Sequence, residues 1–255
     1  MLGAMIGDIV GSVYEWHNIK TTDFVLFKSN STFTDDTVLT AATAKALMTG
    51  MDYAEAYQDF ARRYEGRGYG GNFSRWIWAE DPQPYNSWGN GSAMRVSPVG
   101  FAFDTAAEVL AEAERSASVT HNHPEGIKGA QATALAILLA RQGASQSDIR
   151  REIADRFDYD LNRKLIDIRP GYAFDVSCQG SVPEAIIAFL ESESYEDAIR
   201  KAISLGGDSD TIACIAGGIA EAFYGGVPEE IAAEGRERLP GEFVQILDDF
   251  MEFIQ

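Results

Sequence analysis

Basic residues are scarce in this chain. Twenty-one lysines and arginines stand against 39 aspartates and glutamates, a formal net charge of −18 at pH 7 over 255 residues. With no basic stripe to neutralise phosphates, a direct nucleic-acid partner is not expected. Cysteine is nearly absent: Cys178 and Cys214 show neither metal-ligand nor redox spacing, and two thiols in a chain this size fit a reducing cytoplasm. Nowhere do eighteen apolar residues run together, so no membrane span is expected. The apolar start "MLGAMIGDIVGSVYEW" has no basic leader and reaches an acid at Asp8, so it is not expected to be a signal peptide. No period of 20–50 residues repeats, which excludes a solenoid. Strand-like alternation is confined to "FVLFK" at 24–28.

What the chain has is helical periodicity almost throughout. The spacing predicts helices over roughly 3–16, 35–49, 52–64, 104–117, 125–142, 145–157, 183–191, 195–204, 210–224, 228–238 and 241–253. Turn signals such as "TGMD", "GGNF", "RQGAS" and "GGVPEE" separate them. The long irregular stretches are 66–93 and 158–182, and loops of that length in a compact domain tend to carry function. The expectation is one all-α domain over residues 1–255, a compact orthogonal helical bundle without an internal linker, and a monomer.

Charge of one sign gathers at two helix starts. In "STFTDDTVLT", 31–40, Thr34 precedes Asp35 and Asp36; in "SLGGDSDTIACIAGGIAEAFYGG", 204–226, Asp208 and Asp210 flank a serine and Thr211 follows. Each start reads in two ways. As caps, the threonine accepts a first-turn N–H and the acids sit at the positive end of the helix dipole. As ligands, four carboxylates that meet cannot all stay ionised unless cations lie among them. All-oxygen donors with threonine hydroxyls select hard ions, so the ligand reading calls for two divalent cations, Mg2+ or Mn2+, rather than zinc. A calcium loop fails, because no glycine stands sixth and no acid twelfth from Asp208.

Two further features concern packing. Gly217 and Gly218 lie side by side in a helix otherwise lined with small residues, which implies a close neighbouring backbone and a central position. Gly3, Gly7 and Gly11 recur every four residues and form a groove along the first helix, and on the spacing of a helix Asp8, Ser12 and Glu15 line the adjacent face.

The ordered set "GAMIGDIVGSVYEW", "FTDDTVLT", "GNGSAMRVSPVG", "SVTHNHPEGIKGA", "SVPEAI" and "SLGGDSDTIACIAGGIAEAFYG" closely resembles the ADP-ribosylglycohydrolase family, over residues 3 to about 226. The resemblance implies an all-α fold with a two-metal centre in a cleft and ADP-ribose bound across it. It implies that Thr34, Asp35, Asp36, Asp208, Asp210 and Thr211 bind the metals, and that Glu15 is the mobile glutamate beside them. The loop of Asn86, Ser87, Trp88, Gly89, Asn90, Gly91 and Ser92 corresponds to the one that wraps the distal ribose and diphosphate. Its small residues let backbone N–H groups approach phosphate oxygens. His121 corresponds to the substrate-contacting histidine, and His123 is left outside the site. The segment "RGYGGNF", 67–73, departs from the pattern of relatives that carry an extra acid there, the next acids being Glu80 and Asp81, so the leaving group stays open.

The implied activity is hydrolysis of the bond between ADP-ribose and a protein side chain or small molecule. Glu15 is the expected proton-transfer residue, and a metal-bound aspartate, Asp35, the runner-up. The alternatives are an inactive ADP-ribose-binding or structural relative, and a hydrolase of the pyrophosphate.

Overall fold

A computed structural model describes all 255 residues. Fifteen helices follow one another: α1 (Leu2–Gly11), α2 (Asp35–Thr49), α3 (Tyr53–Arg63), α4 (Gly71–Trp76), α5 (Gly91–Met94), α6 (Ser97–Ala102), α7 (Ala106–Ser118), α8 (Pro124–Arg141), α9 (Gln146–Phe157), α10 (Leu165–Ile168), α11 (Cys178–Leu190), α12 (Tyr195–Ile203), α13 (Ser209–Tyr224), α14 (Glu229–Glu237) and α15 (Gly241–Phe253). There is no strand; "FVLFK" forms none, and the single β-bridge joins Gly89 to Ser177.

The centre is α13. Every residue from Ser209 to Ala220 is buried, and α1, α8, α11 and α12 pack around it. Glycine makes the α1 contact possible. A Cβ on Gly3 would stand 2.6 Å from the Gly217 carbonyl oxygen, one on Gly7 would strike the Ala213 carbonyl, and one on Gly11 would strike the Asp210 backbone. The two backbones therefore run in direct contact from Gly3 to Gly11, which brings the C-terminal end of α1 to the N-terminal end of α13. Helix α2 packs against α1, α3 and α15, with its own N-terminus at the same place.

Caps set most of the other boundaries. Thr34, Asp52, Thr105, His123, Ser145, Ser177 and Ser194 each accept a first-turn N–H through their side chains.

The first helix is shorter than its periodicity predicts. It stops at Gly11, and residues 12–14 form a turn. Asp8, Ser12 and Glu15 therefore do not share one helical face. The chain bends away where Gly11 meets the start of α13, and Glu15 lies beyond the bend. Helix α11 begins five residues before the predicted 183, because Ser177 caps it and Pro183 is carried inside. The carbonyl a proline cannot serve is that of the exposed Gln179. The short helices α4, α5, α6 and α10 were not predicted, being too brief to show periodicity.

Candidate metal centre

Two helix N-termini, those of α2 and α13, meet the C-terminal end of α1. Their dipoles favour negative charge at this point, and the chain supplies six carboxylates there. Asp8, Asp36 and Asp210 each offer an oxygen within 4.8 Å of the others, and Glu15, Asp208 and Asp210 do the same. Asp210 belongs to both groups, so five of the six acids form two joined clusters, and Asp35 falls in neither.

Asp8 is the member that sequence reasoning did not assign. It is fully buried on α1 and serves the first turn of α2. One of its oxygens accepts the Thr34 hydroxyl at 2.7 Å; the other accepts the Thr34 N–H at 2.9 Å, the Thr37 N–H at 3.1 Å and the Thr37 hydroxyl at 2.5 Å. The signal was present in "IGDIVG": an acid directly after a glycine of the packing groove, on a helix with nine buried residues.

At the start of α2 the capping reading holds, since Thr34 Oγ1 accepts the Asp36 N–H at 3.3 Å. At the start of α13 it holds for Asp210, whose carboxylate accepts the Thr211 N–H at 3.0 Å, but not for Asp208. Asp208 stands at the cap position but makes no side-chain bond to the helix; its carboxylate accepts from the Asn90 side chain at 2.7 Å. Thr211 donates its hydroxyl to Asp36 Oδ2 at 3.3 Å, which ties the two helix starts together. Asp36 Oδ1 is buried and has no partner at all. Asp35 is half-buried, its N–H donating to the Arg67 carbonyl at 2.8 Å, and a Cβ on Gly68 would sit 3.0 Å from its carboxylate. The segment 67–73 thus closes on Asp35 with bare backbone, whereas Glu80 and Asp81 are exposed.

Burial raises every one of these acids. Burial first, and the neighbouring carboxylates after it, push Asp35, Asp36 and Asp210 well above the ordinary range. Burial also raises Asp8 and Asp208, against the hydrogen bonds each accepts. Glu15, half-buried, is raised to about 7 by burial and then by Asp208.

These residues fit divalent cations. The donors are all oxygen, the buried Asp36 Oδ1 is orphaned, and the raised carboxyls mark a site whose negative charge is uncompensated by the protein itself. A cleft of about 370 Å³, lined by Ser12, Glu15, Trp16, Thr34, Arg67 and Gly68 among others, opens beside the acids.

The 86–92 loop reaches the same acids through Asn90, whose own N–H donates to the Val176 carbonyl at 2.7 Å. Asn86 takes a left-handed conformation, φ 54°, with its N–H donating to the Asn122 side chain at 2.7 Å. The Ser87 hydroxyl accepts the Gly89 N–H at 3.1 Å, Trp88 is exposed, and Ser92 is buried with its hydroxyl donating to the Gly126 carbonyl at 2.7 Å. His121 lies against Gly89 and Gly91, its Nε2 3.6 and 3.2 Å from where their Cβ atoms would be. His123 caps α8, accepting the Glu125 N–H at 3.1 Å.

A model of the family described as ADP-ribosylglycohydrolase matches residues 1–254. The ADP-ribosylhydrolase ARH3 of Mus musculus is 28% identical, the match covering 99% of this chain and 87% of that one. The ADP-ribosylarginine hydrolase Tri1 of Pseudomonas putida is 27% identical, over 90% of this chain and 71% of its own. A solved ADP-ribosylglycohydrolase-related protein complex superposes with a TM-score of 0.64 at 24% identity, covering 99% of this chain and 93% of its own, a likeness of fold.

Proposed function

The chain belongs to the ADP-ribosylglycohydrolase family, and from that premise we propose that it is a metal-dependent hydrolase that splits the glycosidic bond between ADP-ribose and an acceptor. The observation that carries the reading is the joining of the acidic clusters to the 86–92 loop by the Asn90–Asp208 bond. One contact links a site suited to cations with a glycine-rich turn suited to a diphosphate.

Thr34, Asp35, Asp36, Asp208, Asp210 and Thr211 would hold two divalent cations, Mg2+ or Mn2+. When bound, these supply the positive charge that keeps the carboxylates ionised, and Lewis acidity toward the distal ribose hydroxyls and a water. The protein's own part is positional and protonic. The loop from Asn86 to Ser92, with His121 beneath it, orients the diphosphate and ribose. The bond from C1″ to the acceptor breaks through an oxocarbenium-like transition state, a water oxygen bonds to C1″, and the water gives up one proton while the acceptor gains one. Glu15, half-buried beside Asp208 and Asp210 and lining the cleft, is placed where a carboxyl could exchange a proton with water or acceptor. Asp35 is the second candidate. The cleft beside Glu15 and Arg67 is where the acceptor would leave.

Product analysis tests the reading. An ADP-ribosylated substrate with Mg2+ or Mn2+ should yield free ADP-ribose; AMP and ribose phosphate would point to pyrophosphate cleavage instead, and no product from arginine-, serine- or other linked substrates would point to an inactive relative. The same panel assigns the acceptor.

A further inference from the structure

Beneath the ligand loop lies a buried chain of three polar side chains that the acidic clusters do not use. Arg95 is fully buried, and no carboxylate pairs with it. Its guanidinium sits 4.1 Å from the Tyr57 ring, and Nη2 donates to the Ser116 carbonyl at 3.0 Å and to Thr120 Oγ1 at 2.9 Å. Thr120, also fully buried, stands 2.7 Å from His121 Nδ1 through the same oxygen.

Proton counting decides which way that last bond runs. A guanidinium only donates, so Thr120 Oγ1 accepts from Arg95. The threonine has one O–H to give, and His121 Nδ1, at 2.7 Å, is the acceptor it meets most closely, with the Tyr85 hydroxyl the other polar neighbour. If Nδ1 carried the ring proton, the buried hydroxyl proton would lose its 2.7 Å acceptor and have only the Tyr85 oxygen to turn to, a cost that disfavours this tautomer by up to about tenfold. The ring proton therefore sits on Nε2, which has no partner within the chain and faces Gly89 and Gly91.

We propose that Arg95 and Thr120 are positioning residues that fix His121 as its neutral Nε2–H tautomer, so that the ring offers one N–H donor to a ligand oxygen held at the Gly89–Gly91 turn. The identity of that oxygen, one of a diphosphate, rests on the function proposed above; the tautomer does not. Burial, and after it the Arg95 charge, holds the His121 pKa well below its usual value, in keeping with a ring that stays neutral. The two glycines belong to the device. A Cβ on Gly91 would lie 3.2 Å from Nε2, over the face where the donor points.

The chain has only three histidines, so long-range proton–nitrogen NMR on histidine-labelled protein resolves each ring, with His121 assigned by its loss in His121→Gln. In metal-loaded wild type without nucleotide, His121 should show the Nε2–H pattern alone. Thr120→Val should give a mixture of tautomers and weaken ADP-ribose binding in calorimetry by about two- to tenfold, the worth of one net hydrogen bond. Thr120→Ser, which keeps the hydroxyl, should restore both. A proton on Nδ1 in wild type, or a Thr120→Val spectrum identical to wild type, overturns the proposal. Failure of wild type to bind ADP-ribose would instead sink the diphosphate reading and the donor role, while the spectrum still judges the tautomer.

Discussion

The Asp8 carboxylate reaches from α1 to the start of α2 and accepts the Thr34 hydroxyl at 2.7 Å. With that proton directed at Asp8, the remaining lone pairs of Thr34 Oγ1 are turned toward the Asp36 N–H and the acidic cluster. Asp8 thus does two jobs: it caps a helix from outside the helix, and it orients a hydroxyl among the candidate cation ligands.

Replacing Asp8 should therefore cost more than a cap. Asp8→Ala leaves the Thr34 and Thr37 N–H groups without their acceptor and should lower stability in chelator by about 2 kcal/mol or more. It should also weaken Mn2+ binding measured by calorimetry. Denaturant unfolding curves that superpose on wild type would remove Asp8 from both roles.

Asp208 should behave in the opposite way. Because it makes no cap bond and adds charge to a crowded cluster, Asp208→Asn in chelator should be neutral or stabilising. Its amide oxygen can still accept from Asn90. In wild type, a divalent ion at a hundredfold excess over its dissociation constant should add about 2.7 kcal/mol per site. In the variant most of that gain should vanish, and activity with it. A strong loss of stability in chelator would mean that the aspartate is structural.

The raised carboxyls make stability depend on pH with a definite sign. A carboxyl whose folded pKa exceeds its unfolded value stabilises the fold below the unfolded value, and loses that contribution as pH rises through the folded one. For Glu15 the window runs from its ordinary 4.5 to about 7, and the buried aspartates extend it upward. In chelator the melting temperature should fall from pH 5 to pH 8. Saturating Mg2+ should flatten or reverse that fall, since cations replace protons and their binding releases protons. A metal-free melting temperature that rises over this range would contradict the crowding of these acids.

Much of this architecture was legible beforehand. The 3.6-residue periodicity placed α2 at Asp35–Thr49 and α13 within a residue of its start, because both are long and clearly capped or punctuated. The glycines of α1 and α13 announced a backbone contact, and the structure supplies it between Gly3 and Gly217. The end of α1 was not legible. No glycine–proline signal marks the stop at Gly11, which coincides with the contact between Gly11 and the Asp210 backbone, far away in sequence. Asp8 escaped for the same reason, since its partners Thr34 and Thr37 are on another helix. Nor could spacing distinguish Ser92, whose hydroxyl is spent on Gly126, from the exposed Trp88 in the same loop. Local pattern finds elements and candidate acids. Long-range contact decides which of them meet.

Glu15 supplies the test that separates chemistry from binding. It lies past the end of α1, half-buried, close to Asp208 and Asp210, and is raised to about 7 by burial and then by Asp208. Glu15→Gln keeps the shape and removes both the charge and the proton exchange. If Glu15 moves a proton during the reaction, turnover should fall by roughly 10²–10⁴-fold, the usual contribution of a positioned acid–base group. Affinity for free ADP-ribose should change much less, because the other acids and the 86–92 loop do the holding. The variant should also lose the limb of the pH–rate profile that a proton-transferring Glu15 sets. A residue that only shapes the cleft would shift turnover and affinity together and leave that limb in place. Steady-state kinetics across pH, paired with calorimetric titration of ADP-ribose, distinguishes the two; unchanged turnover would leave Asp35 as the proton-transfer candidate.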